Sequence, residues 1–383
     1  MRYSFLYFFI FFSLNISAFA QTAERPWWYT LEEGKLQFRS GAYGDALMTF
    51  EDARRNRLDR FTRMEQDFIL FLSKPDVRLI GDFLDVTERY IRERHETEAE
   101  AVLTELYHWV PKESLNNSIK NVLAELNRLK NYPEAEYWIG ESYRLEGELA
   151  LALRQYRRAW EIRDLLESPG FDVEILYKMA EVHRLRREYQ EMEKRAIEII
   201  EGPGPSGVPR DNLWIGSTAN NPDSVNQIRA AMTRHLENEG ANGFLTLYRD
   251  NNTITEKAHR LLGFFYYASN RYSPAAEHLM FAFLIQTTAL IDEAIRSQYN
   301  FAFTTLDDLM VFVRTRPELA AFLEETEYYR TIYYLASALY AAGKTRPGRE
   351  LWAFLAASNN SGEWGDRARR NRTPFTEKAV EMP

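Results

Sequence analysis

One spacing recurs along this chain, and it constrains the fold more than any other feature. In residues 137–160, YWIGESYRLEGELALALRQYRRAW, small, aromatic and turn residues fall at Gly140, Tyr143, Gly147, Ala152, Tyr156 and Ala159. Two antiparallel helices account for such a pattern: small side chains let the backbones approach, and large ones fill the space beside them. The pattern returns in residues 34–53 (Gly34, Gly41, Tyr43, Ala46, Phe50, Ala53) and in 83–111 (Phe83, Val86, Tyr90, Ala99, Leu103, Leu106, with Pro111 closing it). It returns again in 176–199 (Leu176, Met179, Ala180, His183, Tyr189, Met192, Ala196, Ile199) and 259–282 (Gly263, Tyr266, Tyr272, Ala275, Leu279, Ala282). The last copy uses Ile332, Leu335, Ala336, Leu339, Gly343, Gly348, Trp352 and Leu355.

These six segments resemble the tetratricopeptide repeat (TPR) family. The resemblance covers roughly half of the chain at about 34 residues per unit. It implies an all-α fold, a right-handed superhelical solenoid of TPR-like helix pairs. The position of Gly34 recurs at Thr87, Gly140, Ala180, Gly263 and Ala336, in steps of 53, 53, 40, 83 and 73 residues. Ordinary TPRs step by about 34, so extra or diverged helices are expected between the clear ones. Arg57–Leu72, Leu115–Leu129, Phe301–Phe312 and Glu318–Glu325 have the helical periodicity of such fillers.

The first twenty residues stand apart. Arg2 precedes an apolar stretch from Phe5 to Leu14, and Ala18-Phe19-Ala20 is a small-x-small site before Gln21. This predicts a secretory signal peptide, with an uncleaved N-terminal anchor as the alternative. No later segment holds 18 consecutive apolar residues, so no further span is expected. The chain has no cysteine, which excludes disulfides, thiol chemistry and a lipid-modified cysteine. Export to the periplasm of a diderm bacterium is the expected location. Pro75, Pro111 and Pro133 each end a helical stretch. The longest break, Gly202 to Pro222, cannot be crossed by a helix. The expected organisation is therefore a signal over 1–20, an N-terminal array over 21–201, an insert or hinge over 202–222, a C-terminal array over 223–357, and a capping helix and polar tail over 358–383.

Nothing points to chemistry. Gly202-Pro-Gly204-Pro-Ser-Gly207 has the letters of a dinucleotide loop, yet it follows a helix and two of its residues lack an N–H donor. His95-Glu96 opens like a zinc motif, but residue 99 is Ala. The six histidines show no ligand spacing, and the carboxylates lie mostly within i,i+4 reach of Arg or Lys. The net charge of -8, with charges interspersed, argues against nucleic acid. No catalysis, cofactor or metal is expected.

In TPR arrays the first helix of each unit lines the inner groove, where family ligands usually lie. The resemblance therefore implies a protein or peptide partner, and a set of positions to receive it. These are Tyr137, Glu141 and Arg144 in one unit, and Tyr177, Glu181 and Arg184, identical in type, in the next. Phe264, Tyr267, Tyr333 and Tyr340 follow, with Leu31 and Phe38 in the first unit. Steps of four and three place each triplet on one helix face. The expected function is an exported scaffold or adaptor. The alternative is a solute-binding or transporter-accessory protein with an aromatic-lined cavity around Phe264, Tyr267, Tyr333 and Tyr340.

Overall fold

The computed structural model describes residues 25–72, 116–202, 222–299, 301–358 and 360–371. The signal segment, the copy at 83–111, His95, residues 203–221 and the tail beyond 371 lie outside the described residues. All regular structure among the described residues is helical, and none is strand.

The helices are α1 (Trp27–Arg39), α2 (Tyr43–Leu72), α3 (Asn116–Leu129), α4 (Pro133–Leu145), α5 (Leu149–Glu161), α6 (Phe171–Leu185) and α7 (Tyr189–Glu201). They continue with α8 (Pro222–Leu247), α9 (Thr253–Ala268), α10 (Tyr272–Ser297), α11 (Leu306–Arg314), α12 (Pro317–Glu325), α13 (Tyr328–Ala341), α14 (Thr345–Ala357) and α15 (Gly362–Arg370). The fillers differ in detail from their expected spans. Arg57–Leu72 is not a separate helix, because nothing between Tyr43 and Leu72 breaks or caps one, and α2 runs through it. The helix expected from Phe301 starts at Leu306, where Thr305 and Asp308 form a reciprocal capping box. Pro133 and Pro317 each sit in a first turn, where a missing N–H costs nothing. The α8 span is kinked at Gly240, whose φ of 71° no helix adopts.

Five helix pairs share one construction: α1/α2, α4/α5, α6/α7, α9/α10 and α13/α14. In each, the turn residue has positive φ: Gly41, Gly147, Arg187, Asn270 and Gly343. In each, its own N–H and the next one close the first helix in the same way. Gly147 N–H donates to the Arg144 carbonyl at 3.1 Å and Glu148 N–H to the Tyr143 carbonyl at 2.8 Å. Arg187 and Glu188 repeat these bonds to Arg184 and His183, Asn270 and Arg271 to Tyr267 and Tyr266, and Gly343 and Lys344 to Tyr340 and Leu339. This is the Schellman closure, which satisfies carbonyls that a helix end leaves open.

The close approach of the pairs is equally regular. Seven residues before each turn sits a small residue, and in three of the pairs it is a glycine packed on the side chain sixteen positions later. A Cβ on Gly34 would come within 2.5 Å of the Phe50 ring, one on Gly140 within 2.7 Å of Tyr156, and one on Gly263 within 2.5 Å of Leu279. Phe50, Tyr156, Ala196, Leu279 and Trp352, the five residues in that later position, are all buried.

The chain forms two compact units, one up to Ile175 and the other from Leu176, so that the division falls inside α6. In the first, α2 packs against α1, α3 and α4. Its core joins Trp27, Leu31, Phe50, Phe61, Phe68 and Leu126 with Tyr132 and Ile139, each large apolar side chain contributing about 1.5–3 kcal/mol by burial. Arg57 is buried in that core at 1% exposure. Its guanidinium lies 4.7 Å from the Tyr132 ring centre and 5.7 Å from those of Trp27 and Phe61, and its Nε donates to the Leu129 carbonyl at 2.9 Å. Glu136, also buried, accepts from Arg54 at 3.2 Å and lies 3.0 Å from Arg158, tying α4 to α2 and α5.

In the second unit α10 is the central element, packed on α8, α9, α11, α12 and α13. It is long and apolar enough to cross a membrane by length and composition, but 72% of that stretch is buried within the fold, the pattern of a core helix. Thr287 and the fully buried Tyr328 hydroxyl meet at 3.0 Å and link it to α13.

Candidate partner face on the first helices

The nominated residues divide into buried and accessible ones. Tyr137 is buried on α4, with ring centres of Trp138, Tyr156 and Phe171 at 5.4, 5.8 and 4.7 Å. Glu141 is buried beside it. It takes two hydrogen bonds from Arg144, at 3.0 and 2.8 Å, and a third from the Tyr156 hydroxyl. Burial, then the Glu141 carboxylate, push the Tyr156 phenol above its ordinary range. Arg144 is half-buried, so this unit offers a guanidinium edge backed by an immobilised carboxylate.

The second triplet has the same residue types and a different arrangement. Tyr177, Glu181 and Arg184 are all half-buried. Glu181 pairs with Lys178 at 2.9 Å rather than with Arg184. Lys257 of α9 lies 5.3 Å from the Tyr177 ring centre. Arg184 makes no side-chain hydrogen bond or ion pair among the described residues.

Phe264, Tyr267 and Tyr333 are buried, and their rings are joined through Tyr334. Phe264 and Tyr267 each lie 5.3 Å from Tyr334 centre to centre, and so does Tyr333. Trp364 of α15 lies tilted against Tyr333 and edge-on to Tyr334, at 5.5 and 5.8 Å. The Arg330 guanidinium sits 4.6 Å from the Phe264 ring centre, and Asn371 donates to the Tyr333 hydroxyl at 2.9 Å. Tyr340 is half-buried against Trp352, at 5.2 Å. Leu31 is buried in the core of the first unit, and Phe38 packs against it. The rings nominated for an aromatic cavity thus touch one another or their neighbours.

The sequence did not single out a charged cluster that joins α9 and α13. Glu327, the N-cap of α13, is held at a φ of 52°. Its carboxylate bridges Arg260 of α9, by a short ion pair, and Arg330 at 2.7 Å. Arg260 Nε also lies 3.0 Å from Glu256. Burial raises the Glu256 carboxyl, against the pull of Arg260. Elsewhere His259 and His278 meet through their Nδ1 atoms at 2.9 Å. Among the described residues no group of three or more His, Cys, Asp or Glu side chains is placed to hold a metal.

No family model matches the chain. A protein of Treponema pallidum (strain Nichols), described as uncharacterized, is 25% identical over 342 residues, spanning 89% of this chain and 88% of its own length. A second uncharacterized protein, from Borreliella burgdorferi (strain ATCC 35210 / DSM 4680 / CIP 102532 / B31), is 24% identical over 238 residues, 60% of this chain and 72% of its own. The first similarity runs nearly end to end in both chains, which are of similar length. Neither description says what the relative binds.

Proposed function

We propose that this chain is an exported TPR-type scaffold, a right-handed solenoid that holds a protein or peptide partner on its first helices and performs no chemistry of its own. The observation that carries the reading is the fivefold recurrence of one hairpin, with a small residue, a left-handed turn seven residues on and a large or small packing partner at sixteen. Stacked pairs of this kind expose one row of first helices, and extended concave surfaces of that sort hold peptides and folded partners. Residues 1–20, with their small-x-small site, support export.

The exposure of the face narrows the contact set. Arg144, Tyr177, Glu181, Arg184 and Tyr340 keep accessible surface. Tyr137, Glu141, Phe264, Tyr267 and Tyr333 are buried. Tyr and Arg are effective anchors because they bring large area at low entropic cost.

A crosslinking pull-down from envelope fractions tests the reading. The wild-type chain is compared with an Arg144→Ala/Tyr177→Ala/Arg184→Ala variant that keeps its helical melt. A specific protein captured by the wild type and lost from the variant supports the proposal. Capture that is equal with both chains removes the first-helix face from it.

A further inference from the structure

The chain between α10 and α11 builds a short aromatic platform. Phe301 and Phe303 stack with ring centres 6.0 Å apart. Phe312 of α11 joins them, 4.3 Å from Phe301. Each end of this row of rings meets a guanidinium. Arg249, just beyond α8, lies 5.8 Å from the Phe303 ring centre, and Arg316, between α11 and α12, lies 5.3 Å from that of Phe312. The contacts therefore run arginine, three phenylalanines, arginine. The three rings and Arg316 are half-buried, and Arg249 is exposed. Their neighbours in sequence, Leu247, Tyr299 and Val311, are large apolar side chains that are also exposed, Tyr299 at 90%.

The platform is fixed and its cations are unspent. Phe301 N–H donates to the Gln298 carbonyl at 2.9 Å, and Leu306 N–H donates to Asn242 Oδ1 of α8 at 2.8 Å. Asp308, one turn before Phe312 on α11, accepts from the Thr304 and Thr305 N–H groups at 3.2 and 2.9 Å, so this acid is engaged in capping. Arg249 donates only to the Tyr248 carbonyl, at 2.8 Å, and Arg316 makes no side-chain hydrogen bond or ion pair among the described residues. Elsewhere in the same unit Arg260, Arg271, Arg296, Arg330 and Arg346 each pair with a carboxylate. Partial burial lowers the Arg249 guanidinium from its ordinary range, against the pull of Asp292.

Two guanidinium groups held against rings, without a carboxylate of their own, are complementary to two separated anions. A guanidinium takes a carboxylate by a forked pair of hydrogen bonds, and the rings between them bury apolar side chains. A nucleic-acid strand would bring a run of phosphates to a chain of net charge -8, whereas two separated carboxylates meet only the two arginines. We propose that this row is a docking surface for an extended peptide segment with an apolar middle and an acidic residue toward each end. The path between the guanidinium groups spans at most about six residues of extended chain. None of the residues assigned to the first-helix face takes part, so the proposal stands independently of the scaffold reading.

Fluorescence anisotropy with the full chain tests it, using two labelled and capped peptides, Glu-Leu-Phe-Val-Leu-Glu and its counterpart Gln-Leu-Phe-Val-Leu-Gln. Each is titrated with the wild type, with Arg249→Gln/Arg316→Gln, and with a control, Arg154→Gln/Arg157→Gln, which removes two exposed arginines of α5. Saturable binding of the Glu peptide to the wild type is expected. It should weaken about tenfold or more with the Gln peptide and in the row variant, and stay unchanged in the control. Thermal melts show whether each chain is folded, and the comparison of the two peptides needs the wild type alone. Absence of saturable binding of the Glu peptide overturns the proposal. So does equal affinity for the two peptides, undiminished binding in the row variant, or equal weakening in the control, which reports only diffuse charge. Cosedimentation with phosphatidylglycerol vesicles adds one further arm. Vesicle binding that is lost in the row variant, with no binding of the Glu peptide, gives the surface to a membrane and overturns the peptide reading.

Discussion

The repeated turn offers a direct energetic test, because the chain places different residues in one backbone conformation. Gly147 and Arg187 occupy equivalent positions, at φ of 83° and 61°. Exchanging them as Gly147→Arg and Arg187→Gly isolates the conformational term. Nothing lies within 4 Å of a Cβ on Gly147, so no clash contributes. The Arg187 side chain is exposed and makes no hydrogen bond or ion pair among the described residues. A side chain in the left-handed region costs roughly 1–2 kcal/mol. Glycine returns about 0.4–1 kcal/mol of that through the freedom of its unfolded chain. The net expectation is that Gly147→Arg destabilises its unit by about 0.5–1 kcal/mol and Arg187→Gly stabilises its own by the same amount. With a urea slope of about 2 kcal/mol/M, the midpoints move by roughly 0.3–0.5 M in opposite directions. Urea titration followed by circular dichroism reads both. Asn270→Gly serves as a reference and should move less, because Asn visits this region readily. A midpoint that falls in Arg187→Gly would refute the reasoning, since it would mean that the turn draws stability from the arginine itself.

Further outcomes follow from the buried polar groups. Arg57→Ala leaves the Leu129 carbonyl unpaired and empties a three-ring cage, and should cost about 3 kcal/mol in urea titration, with Arg57→Lys recovering less than half because an ammonium cannot stack flat on Tyr132. Glu134 is buried with its Oε2 unpartnered, and burial raises its carboxyl above the ordinary range, against the hydrogen bond from the Glu167 N–H. A folded carboxyl raised in this way stabilises the fold at low pH and loses that contribution as pH rises from its unfolded value through its folded one. Glu134→Gln should therefore match or exceed wild-type stability at pH 7, and the advantage should vanish in urea midpoints taken near pH 4. Gly140→Ala drives a methyl into the Tyr156 ring and should cost about 1–2 kcal/mol despite alanine's better helix propensity, whereas a gain in midpoint would show that the ring can retreat.

The pairing of helices was legible because it depends on local spacing. Gly34, Gly140 and Gly263 announce a close approach, and Gly41, Gly147 and Gly343 announce the turn. Arg187 and Asn270 fill the same turn without a glycine, so their conformation is visible only in the backbone. The break expected before Arg57 had no residue to cause it, and α2 continues. The partner face was legible only by direction. Steps of four and three fix which residues share a helix face, but not whether a neighbouring helix covers it. Tyr137 meets Phe171, and Tyr333 meets Trp364, through contacts between separate helices.

The length of α10 has a mechanical consequence. The other second helices of the second unit have 13 residues, and α10 has 26, so about 20 Å of it extends beyond a hairpin of ordinary size. A chain of equal hairpins resists tension weakly, since each pair can peel away without disturbing more than its neighbour. This long helix packs against α8, α11, α12 and α13 as well as against α9. Pulled from its ends, the second unit should yield in small steps at its edges and then stop at α10, whose release requires several interfaces to fail together. A load-bearing strut of this kind makes the middle of the second unit the last part to lose its shape.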